Sequence, residues 1–151
     1  MTRTNATDKN EGDVTRLRDE WLVRLQELTA NVKAWAEQLD WSTRGISKNM
    51  NDSRLGRYVA PALIMQKDAT RVLLDPVSRF APGTDGIVDL YLMPGYDDIA
   101  TLYLAGGGWR VHHVTSGEGR MTAGNLAQRA LTKETLAQLL DEIAAHAPEP
   151  L

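Results

Sequence analysis

The chain has 151 residues, of which 42% are hydrophobic and 25% are charged, and its formal net charge is −3. This composition is typical of one globular domain and excludes a wholly disordered chain or a collagen-like polymer. The absence of cysteine excludes disulfides, thiolate metal sites and cysteine nucleophiles. No apolar run predicts a membrane span, and the polar N-terminus does not resemble a secretory signal, so the expected location is cytoplasmic.

The first forty residues divide into a polar segment and a helical one. Residues 1–12 are small, polar and charged, and we predict a flexible tail there, because they bury too little apolar surface to offset their ordering entropy. From Asp13, a candidate N-cap, to Asp40, apolar residues recur at steps of three and four, which predicts an amphipathic helix about 40 Å long. We expect this stripe to pack on the surface of the domain, as most amphipathic helices do, and the length of the helix leaves an overhanging end that a partner chain can contact. The candidate interface residues are Trp21, Leu28 and Trp35.

Residues 42–57 are turn-rich and basic, and we predict a loop there. A series of short apolar runs follows this segment. Short connections rich in Gly, Pro and Asp separate the runs, which favours an antiparallel meander. Pro61 lies inside the first run and favours an edge strand or a bulged one there. The predicted strands are Tyr58–Gln66, Arg71–Val77, Ile87–Met93, Ile99–Ala105 and Trp109–Val114.

The C-terminal part predicts a second helix. Thr132 offers an N-cap, and Leu136, Leu139, Leu140 and Ile143 form one apolar face. The predicted fold is therefore α+β: a long N-terminal helix, a four- to five-stranded antiparallel meander, and a C-terminal helix packed on one sheet face. We expect a single domain over residues 13–147 and a C-terminal tail at 148–151.

Polar residues alternate with apolar ones along these strands, so they are expected to share one face of the sheet. Such a face offers hydrogen-bond donors, acceptors and groups that move protons, which favours a ligand site. The plain alternative is the solvated outer face of an antiparallel sheet. The candidate ligand-binding residues are Arg71, Asp75, Asp89, Tyr91, Tyr103 and His112.

Residues 42–72 carry six basic residues against two acidic ones, a net charge of +4 in a chain whose total is −3. This asymmetry predicts a surface for phosphate, nucleic acid or an acidic partner. The sequence nevertheless does not favour nucleic acid, because it contains no nucleic-acid-binding motif of defined spacing. The candidate basic patch consists of Arg44, Lys48, Arg54 and Arg57.

The sequence carries no recognisable catalytic motif. His112 and His113 are adjacent on a predicted strand and point to opposite faces, and no phosphate-binding loop is present, so we expect no metal, no cofactor and no catalytic residues. The leading hypothesis is a non-catalytic protein-interaction or assembly module that forms a homodimer. One alternative is a small-molecule-binding protein or enzyme that uses the polar sheet face. A second alternative is a nucleic-acid binder through residues 44–71.

Overall fold

The computed structural model of the chain describes residues 6–95, 97–113 and 129–147. The first and last elements are helices, with strands between them. In chain order the elements are α1 (Ala6–Gln38), β1 (Ser42–Asp52), β2 (Gly56–Lys67), β3 (Thr70–Ser78), β4 (Ile87–Leu92), β5 (Asp97–Ala105), β6 (Gly108–His113), β7 (Arg129–Ala130) and α2 (Lys133–Ala145).

The strands form one antiparallel sheet in which each strand pairs with the next one along the chain. This confirms the predicted α+β class, the antiparallel sheet and the two terminal helices. The strand count was wrong: within the described residues the sheet has seven strands rather than four or five. The two additional strands are β1, in the segment predicted as a loop, and β7, which has two residues.

Strand β1 was missed because it lacks the apolar alternation of a half-buried strand. Only one of its side chains, Met50, is buried, and the others are exposed or half-buried. What makes it a strand is its partner, because it pairs residue by residue with β2 from Ser42 opposite Gln66 to Asp52 opposite Gly56. Backbone pairing therefore outweighs the turn-rich composition of the segment.

Helix α1 begins at Ala6, so the predicted start and cap at Asp13 were wrong. Once the helix has formed over the apolar stripe, each further polar residue adds a backbone hydrogen bond, which allows it to extend toward the N-terminus. Its 33 residues correspond to about 50 Å. The predicted stripe is confirmed, since Trp21, Leu25, Leu28 and Val32 are almost fully buried.

Both helices pack on the same face of the sheet and share one hydrophobic core with it. The side chains from the middle of the sheet lie in rows across the strands, as in the row of Leu63, Leu74, Leu90 and Ala100. These rows contain the apolar positions that strand alternation predicts to face the core. On α2, the Thr132 hydroxyl accepts a hydrogen bond from the backbone N–H of Thr135 over 3.1 Å, which confirms the predicted cap.

Strand β2 separates from β3 halfway along its length. It pairs with β3 only from Leu63 to Lys67, and Pro61 lies in the part that pairs with β1 alone. The buried positions change parity at the same point, from Tyr58, Ala60 and Ala62 to Leu63 and Met65. The expectation from Pro61 is thus met locally, because this half of β2 has a described strand on one side only.

Candidate functional site

The six polar candidates share the face of the sheet that the helices leave uncovered. Across the middle strands, Asp75 lies opposite Asp89, Asp89 opposite Thr101, and Thr101 opposite His112. The positions of Arg71, Tyr91 and Tyr103 alternate with the buried ones on their own strands, so they belong to the same face. The register brings Asp75, Asp89 and Tyr91 together and leaves Arg71, Tyr103 and His112 apart from them.

Asp75 accepts hydrogen bonds from two neighbouring side chains, those of Lys48 and Tyr91. The Lys48 ammonium lies 2.6 Å from Asp75 Oδ1, and the Tyr91 hydroxyl donates to Asp75 Oδ2 over 3.0 Å. The same ammonium donates to the Pro76 carbonyl over 2.8 Å, on the side of β3 that β2 has left. Both carboxylate oxygens of Asp75 therefore already have donors within the chain, and no pattern in the sequence indicates that Lys48 is one of them.

Tyr91 is held in its protonated form by this environment. Burial raises the pKa of its hydroxyl to about 12, and the hydrogen bond to Asp75 and the charges of Asp75 and Asp89 act in the same direction. At neutral pH the hydroxyl is a donor and not a proton acceptor of catalytic use. The group formed by Lys48, Asp75 and Tyr91 thus stabilises the sheet face rather than presenting a reactive side chain.

Asp89 and His112 do not form an acid–base pair. Asp89 is 7% exposed, and its Oδ1 accepts a hydrogen bond from the Thr101 hydroxyl over 3.1 Å. His112 lies two strands away from Asp89, a separation of roughly 10 Å between the backbones. Among the described residues, no three His, Asp or Glu side chains are grouped closely enough to hold a metal ion.

The basic candidates do not form a single patch. Arg44 is near the start of β1, whereas Arg57 pairs with Asn51 near its end, roughly 23 Å away along the strand. Lys48 is engaged with Asp75, and the Arg54 guanidinium lies 4.6 Å from the centre of the Phe80 ring. The charge excess of the sequence stretch is thus distributed along a hairpin.

The candidate interface residues on α1 are largely taken up by the chain's own core. Trp21 and Leu28 are 1% and 2% exposed, because the sheet and its connections cover that side of the helix. Trp35 is half-buried against the same core. Trp21 and Leu28 therefore offer no surface to a second chain.

Two features that sequence reasoning did not identify remain on the surface. One is the outer edge of β1, with which no described strand pairs. The other is a shallow depression where Arg44 and Arg71, 27 positions apart in the chain, line the same space. Assigning residues 42–52 to a strand would have revealed both, because that strand provides the edge and carries Arg44 to the same sheet as Arg71.

Comparison with known proteins finds no matching family model, no matching curated protein and no matching solved structure. None of the described helices is both long and apolar enough to cross a membrane. Functional inference therefore depends on the surfaces of this chain alone.

Proposed function

We propose that the protein is a non-catalytic protein-interaction module that self-associates through the outer edge of β1. The observation that carries this proposal is the length of that edge: the pairing of β1 with β2 runs over eleven residues without a break in register. An edge strand of this kind presents a row of unpaired backbone N–H and C=O groups, which is a template for another strand.

Three features that often block strand addition, namely proline, a bulge and short length, are missing from the edge of β1. It contains no proline, and its pairing with β2 shows no bulge. Its one lysine, Lys48, is directed toward Asp75 and the Pro76 carbonyl. The opposite edge of the described sheet is β7, whose two residues offer little length for pairing.

Charge complementarity favours a second copy of this chain as the occupant. Two antiparallel β1 strands can be aligned so that Arg44 of each copy lies opposite Asp52 of the other and Ile46 lies opposite Met50. In that register the two Lys48 residues meet at the two-fold axis, where each ammonium is already neutralised by Asp75. Opposite charges directly across a strand pair stabilise it, and like charges destabilise it.

The two other hypotheses have less support from the geometry. Small-molecule sites are concave and offer free polar groups, whereas the polar groups around Asp75 already bond to one another. Nucleic-acid binding requires several cations on one surface, and the basic candidates are separated along the hairpin.

The proposal is tested by measuring the molar mass of the chain over a range of concentrations, by light scattering or sedimentation. Pairing of two strands buries less area than a standard interface, so we expect a dimer that dissociates on dilution. Ile46→Lys places a charge at the centre of the edge and should shift the equilibrium to the monomer. Val59→Lys is the matched control, because Val59 is exposed on the neighbouring strand and is not on the edge.

A parent chain that is monomeric at all concentrations would overturn the proposal. So would a dimer that Ile46→Lys and Val59→Lys weaken equally, since the contact would then not lie on the edge. Circular dichroism of each variant establishes that a change in mass does not result from unfolding.

A further inference from the structure

Arg44 and Arg71 converge on one depression at a corner of the uncovered sheet face. The depression has a volume of about 200 Å³ and is lined by Ser42, Thr43, Arg44, Ile64, Gln66 and Arg71. The register explains the convergence: Ser42 pairs with Gln66, which pairs with Arg71, and Arg44 lies opposite Ile64. The two arginine backbones are roughly 12 Å apart, which two side chains of that length can bridge.

The side chain of Arg71 is oriented across β2 by a relay of two hydrogen bonds. Gln66 Nε2 donates to the Asp68 carbonyl over 3.1 Å, which directs its Oε1 toward β3. Arg71 Nε donates to that oxygen over 3.3 Å. The relay uses only Nε of Arg71, so both terminal nitrogens remain available to donate hydrogen bonds to a ligand in the forked geometry that suits oxyanions.

Neither guanidinium has a counter-ion in the part of the chain that the structure describes. None of the ion pairs there includes Arg44 or Arg71, and no acidic residue lines the depression. The nearby Glu37 carboxylate accepts a hydrogen bond from Thr43 over 2.6 Å, and Lys33 pairs with it. The depression thus carries two unneutralised positive charges.

We propose that this depression binds a phosphate dianion, as inorganic phosphate or as the phosphate group of a small monoester. Two arginines give a tetrahedral oxyanion up to four charge-assisted hydrogen bonds. The volume suits a phosphate group with a small substituent and is below the range of sites that hold larger ligands. Arg44 lies on β1 and is shared with the proposed self-association edge, whereas Arg71 lies on β3 and belongs to the depression alone.

The experiment is a titration of the full chain with inorganic phosphate at constant ionic strength, followed by calorimetry and by the NMR signals of the arginine Nε–H groups. We expect saturable binding that shifts the Arg71 signal, and an affinity about tenfold or more weaker in Arg44→Gln and in Arg71→Gln. Arg57→Gln is the matched control, because Arg57 is an exposed arginine on the same hairpin outside the depression. The same titration with glycerol phosphate, a monoester, shows whether the site binds a phosphate ester or only the free phosphate ion.

A response to phosphate that does not saturate, or that chloride reproduces, would overturn the proposal. An equal loss of affinity in Arg57→Gln would overturn it as well, since binding would then follow overall charge. Tight, salt-dependent binding of a short oligonucleotide without saturable phosphate binding would replace it with a nucleic-acid surface. Arg71 lies outside β1, so Arg71→Gln separates the two proposals: it should weaken phosphate binding and leave the dimer equilibrium unchanged.

Discussion

The indole N–H of Trp21 on α1 donates a hydrogen bond to the hydroxyl of Tyr58 on β2 over 3.1 Å, in the buried interior. Trp21 also lies against Trp109, with ring centres 6.2 Å apart. It connects the helix to β2 at the end of the sheet where β2 has separated from β3. Trp21 therefore fills the space between the separated half of β2 and β6, the strand that carries Trp109.

Loss of the Tyr58 hydroxyl should destabilise the fold more than loss of a tyrosine hydroxyl on the uncovered sheet face. Tyr58→Phe leaves the buried indole N–H of Trp21 without an acceptor, a change that costs about 1–3 kcal/mol. The free energy of unfolding in urea measures this cost. Tyr103→Phe, on the uncovered sheet face, is the control, and an equal effect of the two substitutions would contradict the role given to the Trp21–Tyr58 bond.

Any side chain at position 86 should be strongly destabilising. Gly86 has a φ of +154°, and a Cβ there would lie 2.3 Å from the Trp21 ring. We expect Gly86→Ala to cost about 3 kcal/mol or more, because unfavourable backbone conformation adds to overpacking of the core. Gly83→Ala separates the two effects, since Gly83 also has a positive φ but has open space around it. Thermal denaturation of the two variants should therefore show a much larger loss for Gly86→Ala.

Tyr91 should make the fold sensitive to alkaline pH. Its pKa is raised to about 12 in the folded chain, first by burial and then by Asp75, against about 10 in the unfolded chain. The unfolded state therefore loses this proton first, so the stabilisation is complete below pH 10 and is lost as the pH rises toward 12. Tyr91→Phe should reduce the slope of unfolding free energy against pH in this window. An unchanged slope would assign the alkaline loss to other groups.

The ammonium of Lys48 should contribute modestly to stability through Asp75. Lys48→Met leaves Asp75 with Tyr91 alone and removes the donor to the Pro76 carbonyl. Because the lysine side chain is 36% exposed, we expect a loss of only about 1 kcal/mol. Combining it with Asp75→Asn in a double-mutant cycle measures the coupling between the two residues. A coupling near zero would mean that the ion pair has no net effect.

The parts of the fold that could be predicted are those in which side-chain period and burial agree. The apolar stripe on α1 indicates a helix, and the apolar alternation around Leu74 and Leu90 indicates a sheet that is covered on one face. Both patterns could be read because these elements contact one hydrophobic core. The Thr132 cap could be predicted because it depends on local hydrogen bonds.

The remaining features depend on pairing between segments, which one sequence does not encode locally. Strand β1 is exposed on both faces over most of its length, so its side chains carry no period to detect. The meeting of Arg44 and Arg71 depends on the register of three strands, and a shift of one residue would send either side chain to the other face. The sequence could therefore predict which residues alternate but not which ones converge.

The pairing of every strand with its successor has a kinetic consequence. From β1 to β6 each strand pairs with its neighbour in the chain, so this part of the sheet can grow one strand at a time with little loop-closure entropy. The last step is expected to be the docking of α1, since Trp21 must find Tyr58, 37 positions away, and Trp109, still farther along. Trp21 should accordingly have a low φ-value in folding kinetics, and residues in the central hairpins should have high ones.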